Sequence, residues 1–170
     1  MRHQPFIDLQ PYYNAAPIAT REEIRKFLPH RDHMEHLTAV VHLDTTNHIL
    51  VGYKDVLEDE FWTSGHMPGY PILPGVLMIE AAAQLLCYYV LKTGLLSDVL
   101  LGLGGVENAR FRTSVRPGER LYLLCKGNRV DRRQMNFTAQ GFVNDKMAFQ
   151  CDVIGMVIPG QDYLKITSNE

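Results

Sequence analysis

The chain has 170 residues, 46% of them hydrophobic and 21% charged, with a formal net charge of -2. That is about one domain's worth of soluble chain with enough apolar residues for a real core. Its near-neutral balance gives no global basis for binding nucleic acid or an anionic membrane.

Cys87, Cys125 and Cys151 are widely spaced and form no CxxC pair. This argues against a disulfide framework or a zinc knuckle, and for a reducing, cytoplasmic setting. The first residues, MRHQPFIDLQPYYNAAP, lack the basic start and continuous apolar run of a signal peptide. Residues 1–20, with Pro5, Pro11 and Pro17, are expected to form an extended arm. Thr20 followed by Glu23 has capping-box spacing, so a short helix should run from residue 21 to Leu28, before Pro29. Two strand-like runs, Thr38–Asp44 and His48–Val56, flank Thr45, Thr46 and Asn47 and predict a hairpin.

Residues 57–74 are irregular and rich in Gly and Pro. An apolar helix follows over roughly 75–92, ending at Gly94. Glu80 and Gln84 interrupt it, and its apolar stretch is shorter than the roughly 20 residues that span a bilayer. Strands are expected at Leu100–Thr113, Arg120–Val130, Met135–Val143 and Met147–Ile158, with turns at Pro117-Gly118 and Asn144-Asp145. The helix is apolar on nearly every face, so it must be covered on nearly every face. A sheet of about six strands curled around it does that, giving an α+β domain over residues 21–160 and a tail at 161–170.

The chemistry concentrates in Ser64–Gln84. Pro68, Pro71 and Pro74 recur every third residue and favour a stiff, extended loop that presents His66 and then opens the helix. A carboxylate in an all-apolar helix is expensive to desolvate, which favours the protonated form of Glu80. Gln84, one turn on, can orient it. From the helix alone, a structural glutamate satisfied by Gln84 reads equally well.

The stretch GHMPGYPILPGVLMIEAAAQ resembles the GHFPxxPxxPGVLxxEAxAQ signature of the (3R)-hydroxyacyl-[acyl-carrier-protein] dehydratases of bacterial fatty-acid synthesis. Leu28-Pro29-His30-Arg31 resembles the family's LPHR, and Gly105–Thr113 with Val115–Glu119 resembles its GIxxARFRxxVxPGD segment. The resemblance spans residues 22 to 158. It implies a hot-dog fold, a curved antiparallel sheet around a long central helix. It also implies a dimer with two interfacial active sites, which family dehydratases commonly extend to a trimer of dimers. The implied reaction converts (3R)-3-hydroxyacyl-acyl-carrier-protein to the trans-2-enoyl thioester, with His66 and Glu80 meeting from different subunits.

In that reaction an imidazole base near neutral pKa removes the proton alpha to the carbonyl. A protonated Glu80 supplies the proton that hydroxide needs in order to leave. Free N–H groups at Gly75 and Val76 form an oxyanion hole at the helix start, and Gln84 and Met67 complete the substrate site. No metal or organic cofactor is required. His30, His33 and His36 with Glu35 have ligand-like spacing, but His30 belongs to the LPHR motif and no metal site is expected. The apolar tail needs a tunnel beside the helix. Between Glu107 and Arg133 stand eight basic and three acidic residues, and Arg110, Arg132 and Arg133 are candidates for docking the acidic carrier protein.

The sequence departs from the family pattern in three places. Asp32–Leu37 is polar where apolar residues are usual, Met67 replaces Phe, and the N-terminal arm is longer. Rival readings are a hot-dog thioesterase and an idle acyl- or partner-binding protein. The GHxPGxPxxPG segment argues against the first, and the presence of both His66 and Glu80 argues against the second. The dehydratase/isomerase branch carries Asp where this chain has Glu80.

Overall fold

The computed structural model describes residues 4–96, 99–131 and 135–158; Arg132, Arg133 and the 161–170 tail lie outside them. The elements are α1 (Arg21–Arg25), β1 (Ala39–Asp44), β2 (Ile49–Asp55), α2 (Gly75–Lys92), β3 (Leu100–Phe111), β4 (Arg120–Val130), β5 (Met135–Val143) and β6 (Lys146–Ile158). The strands form one six-stranded antiparallel sheet in the order β1-β2-β4-β5-β6-β3, wrapped around α2. This is the hot-dog arrangement expected from the sequence.

Local chemistry sets the connections. The Asp44 carboxylate accepts from the backbone N–H of Thr46 at 2.9 Å and of Asn47 at 3.0 Å, closing the β1–β2 turn. Asn144 and Asp145 take φ of 47° and 60° between β5 and β6, the left-handed pair whose twist suits a two-residue hairpin. The capping box at Thr20 does not form. The Thr20 side chain makes no cap bond, and Glu23 pairs with Lys26 instead. The helical part of α1 stops at Arg25, and residues 26–28 continue as a turn closed by Leu28 N–H to the Ile24 carbonyl at 3.0 Å.

The inner face of the sheet and α2 bury the main core, including Leu85, Leu121, Leu123, Phe137 and Phe149. A second cluster covers the outer face. There Val41, Val51, Tyr53, Tyr122, Leu124 and Phe142 pack beneath the N-terminal arm, which contributes Leu9 with Phe6, Ile7, Tyr12 and Tyr13. The arm is tied down by polar bonds as well. Phe6 N–H donates to Gln140 Oε1 at 3.1 Å, the Tyr122 hydroxyl donates to the Tyr13 carbonyl at 3.0 Å, and Tyr13 bonds Asp145 through its own hydroxyl. Residues 18 and 19 then bond the Val40 backbone, screening part of the β1 edge.

Coverage of α2 is less complete than its composition predicts. Val76, Glu80, Ala83 and Cys87 form a stripe at helical spacing that stays partly accessible, with Val76 70% exposed. The adjacent edge strand β3 has no fully buried residue, and Leu103 and Phe111 are each about half exposed.

Leu9 is 4% exposed, so Leu9→Ala should remove about 2 kcal/mol or more of stability, the usual cost of such a cavity. Urea unfolding followed by circular dichroism checks this. An unchanged midpoint would mean that the arm contributes nothing to the fold.

Candidate active site

The loop before α2 is anchored by a buried ion pair. Lys54 Nζ lies 2.8 Å from Glu60 Oε1, and Glu60 also accepts from Leu57 N–H at 3.1 Å and Trp62 Nε1 at 2.9 Å. The chain then turns sharply. His66 N–H donates to the Trp62 carbonyl at 2.8 Å, Gly69 reverses direction at a φ of 77°, and Ile72 N–H returns to the His66 carbonyl at 3.1 Å. The stiff extended path expected from the proline spacing is therefore wrong. The left-handed turn at Gly69 folds the segment back, and only residues 71–74 run on without a turn into the helix. The fold-back has a chemical consequence. His66 Nδ1 lies 2.8 Å from the Ile72 carbonyl, so it must be the N–H that donates. In the neutral ring the lone pair then falls on Nε2.

At the start of α2, Pro74 offers no side-chain cap. The N–H groups of Gly75 and Val76 have no hydrogen-bond partner among the described residues, as the first turn of a helix dictates. Gly75 is required here because the Phe111 ring occupies the place of a side chain: a Cβ would stand 2.6 Å from Phe111 Cε1.

Glu80 keeps 23% of its side chain accessible, more than an all-apolar helix implies, because it faces the open stripe. Gln84 orients it by donating Nε2–H to Oε1 at 2.7 Å. The same carboxamide donates to the Met34 carbonyl at 2.7 Å and accepts from the N–H groups of His36 at 2.9 Å and Leu37 at 3.1 Å. Both its amide hydrogens are spent within the protein, so Gln84 positions Glu80 and has none left for substrate. His30, noted in the sequence only as part of LPHR, brings Nε2 to 3.4 Å from Glu80 Oε1. Its burial holds it below the ordinary histidine range, against the pull of Glu80.

These polar groups line one end of a cavity of about 80 Å³, several times what one water needs. Its helix wall is Glu80, Ala83, Gln84, Cys87 and Val90. The facing sheet wall includes Leu103, Met135, Phe137, Val153 and Gly155. Burial pushes the Cys87 thiol up to about 12, so it is a neutral, inert part of this lining.

His66 does not line that cavity, and no hydrogen bond or ion pair joins it to Glu80 among the described residues. Met67 lies next to it, 52% exposed. Arg110, Arg112 and Arg116 are exposed near the α2 start, the last stacked over the Tyr70 ring at 3.8 Å. Arg120 is instead held by Asp55, at 2.5 Å, and Arg129 by Asp131, at 2.7 Å. His30, His33, His36 and Glu35 do not converge, and the described residues hold no group of three or more His, Cys, Asp or Glu suited to a metal.

Residues 28–152 match the model of a family described as the FabA-like domain. The chain is 34% identical over 133 residues to the 3-hydroxyacyl-[acyl-carrier-protein] dehydratase FabZ of Desulfotalea psychrophila, covering 77% of this chain and 88% of that one. The enzyme of the same name from Fusobacterium nucleatum is 34% identical over 123 residues, covering 72% and 86%. Among solved structures, the dehydratase heterocomplex ApeI:P of Xenorhabdus doucetiae superposes with a TM-score of 0.69 at 18% identity, covering 85% of this chain and 96% of that one. The PaaI protein of E. coli superposes with a TM-score of 0.53 at 11% identity, covering 69% and 80%; both likenesses concern the fold.

One departure from the family pattern has a measurable effect. His36 is 1% exposed, with neither ring nitrogen bonded among the described residues. Burial and then Lys54 hold it below the ordinary value, with Glu60 and Glu80 opposing. The unfolded chain therefore binds protons that the folded one refuses, and stability must fall as pH drops below about 6.5. In urea titrations between pH 7.5 and 5, His36→Leu should flatten that fall. An equal slope in both proteins would show that His36 does not titrate on unfolding.

Proposed function

The chain belongs to the FabA-like family, and we propose that His66 and Glu80 perform in it the dehydration of (3R)-3-hydroxyacyl-acyl-carrier-protein to the trans-2-enoyl thioester. The observation that carries this reading is Glu80 held by Gln84 at the polar end of an otherwise apolar cavity. His66 Nε2 takes the proton alpha to the carbonyl. With Oε1 held by Gln84, Glu80 would act through Oε2 and give its proton to the departing hydroxyl, which leaves as water. Charge on the thioester oxygen meets the free N–H groups of Gly75 and Val76 at the positive end of the α2 dipole. Met67 flanks the reacting centre as an apolar wall. These steps call for no metal or organic cofactor.

Two features support a dimer. A long apolar edge strand with an unpaired backbone is a template for pairing with another chain, and β3 is such an edge. His66 and Glu80 also fail to meet within one chain, so we assign one of each pair to the partner subunit. Further assembly into a trimer of dimers follows the family's habit. We place the enzyme in the cytoplasm: its cysteines are free, and the long apolar helix lies in the core.

The acidic carrier protein would approach where α2 begins, on Arg110 with Arg112 and Arg116. Arg132 and Arg133 remain part of the proposal from sequence. Reversing the charge of Arg110 together with Arg132 and Arg133 should weaken turnover of carrier-bound substrate and spare a small thioester surrogate. Added salt should mimic the change. Equal losses on both substrates would refute docking.

The shared site has its own test. His66→Ala and Glu80→Gln should each lose roughly 100- to 10,000-fold in rate while remaining folded. With free subunit exchange, half the dimers in an equal mixture are hybrids, each with one intact site and one lacking both groups. About a quarter of all sites should then regain activity. Failure to recover after verified exchange would place both groups in one chain, and wild-type rates in the single mutants would remove the catalytic assignment.

A further inference from the structure

We infer that Gly155 sets the longest acyl chain this enzyme accepts; the inference rests on the dehydratase reading of the cavity. The inner face of β6 alternates Cys151, Val153, Gly155 and Val157, and its other three members pack in the core beneath α2. In register across the sheet, Gly155 lies between Met135 of β5 and Leu103 of β3. A single residue without a side chain thus stands in a row of bulky ones, and all three line the cavity. A strand glycine weakens its strand and commonly marks a place where something approaches the backbone closely. Conformation does not demand glycine here: its φ is not in the left-handed region, and a Cβ would meet Met135 Cβ at an ordinary 3.5 Å. The space itself is what the missing side chain leaves.

Register also gives its depth. The α2 start is fixed against Phe111 at the end of β3. Leu103, and with it Gly155, lies eight residues back along that strand, roughly 26 Å away. The cavity's helix wall runs from Glu80 to Val90, about 15 Å by helical rise. Gly155 therefore lies toward the Val90 end of the cavity, distal to Glu80 at the other end. With the reacting carbons at Glu80, about 15 Å holds roughly a dozen further carbons at the spacing of tetrahedral carbon chains. Short acyl chains end before Gly155, and long ones cross it.

Gly155→Leu should plug the distal end, and Gly155→Ala should narrow it. Turnover of a four-carbon 3-hydroxyacyl pantetheine thioester should stay within twofold of wild type for both variants. For the fourteen-carbon substrate, Gly155→Leu should lose more than tenfold in kcat/KM, with Gly155→Ala between. Binding of non-reacting acyl pantetheine ethers of both lengths, measured by calorimetry, should show the same split. Equal losses on both lengths, or none on the long chain, would overturn the role of Gly155. The binding arm tells the two failures apart. Length-dependent binding without turnover in the wild type sinks the dehydratase reading and keeps the gauge. Turnover with length-independent binding across the three proteins sinks the gauge alone.

Discussion

The carboxamide of Gln84 uses all four of its hydrogen-bonding valences inside the protein, although it lies one turn from a carboxylate in an apolar helix. Two of those bonds take the backbone N–H groups of His36 and Leu37, and one binds the Met34 carbonyl. The fourth fixes Glu80. Each buried backbone group would cost about 1–3 kcal/mol if left without a partner. Gln84 therefore makes the path of the chain from Met34 to Leu37 and the aim of Glu80 a single structural decision. The His30 imidazole stands 3.4 Å from the carboxylate so aimed.

That coupling explains how the Asp32–Leu37 segment tolerates polar residues where the family uses apolar ones. Its polar contact with α2 is made through the backbone to Gln84 and its apolar contact through Leu37, so the exposed side chains at 32–34 need not be apolar. Glu35, with only 8% of its side chain exposed, pairs with Arg25 at 2.5 Å. His33 leans toward the Phe61 ring, with centroids 5.8 Å apart. His36 and Leu37 turn inward, Leu37 into the main core, and burial holds His36 below the ordinary histidine range next to Lys54 and Glu60. The segment is anchored by the bonds of its main chain, by Leu37 in the core and by the Glu35 carboxylate paired with Arg25.

Much of this was legible in the sequence, because long elements announce themselves by period and short ones by turn residues. The boundaries of α2, β4 and β5 follow from an apolar run broken only at Glu80 and Gln84 and from alternating strands closed by Asn144-Asp145. The signature around His66 and Glu80 identified the family and the two titratable groups. The loop between them was less legible. Proline spacing describes a chain with nothing to fold against, whereas here Gly69 and the reciprocal bonds of His66 with Ile72 decide the path. The role of Gln84 beyond Glu80 depends on backbone groups nearly fifty residues away, which no local pattern reveals. His30 was visible only as a motif letter, since nothing in LPHR says that it faces the acid. The second hydrophobic cluster was hidden for a similar reason. Phe6, Leu9, Tyr12 and Tyr13 have no period of their own and gain meaning only from the outer face of the sheet.

That arm bears on how the molecule is completed. A curved sheet around one helix leaves two edges and one outer face to be managed. Here the outer face is covered by Phe6, Leu9, Tyr12 and Tyr13, and the β1 edge is partly closed by residues 18 and 19. What stays open is contiguous: the β3 edge with Leu103 and Phe111, and the helix stripe from Val76 through Glu80 to Cys87. Phe111, packed against Gly75, joins the two. In the proposed dimer a second copy would bury this apolar area and pair the β3 edge at once. The proposed pairing of Glu80 with a partner's imidazole would take place on that same surface, beside the N–H groups of Gly75 and Val76 that have no partner among the described residues, so the surface left open in one chain is also the one where the proposed chemistry is incomplete.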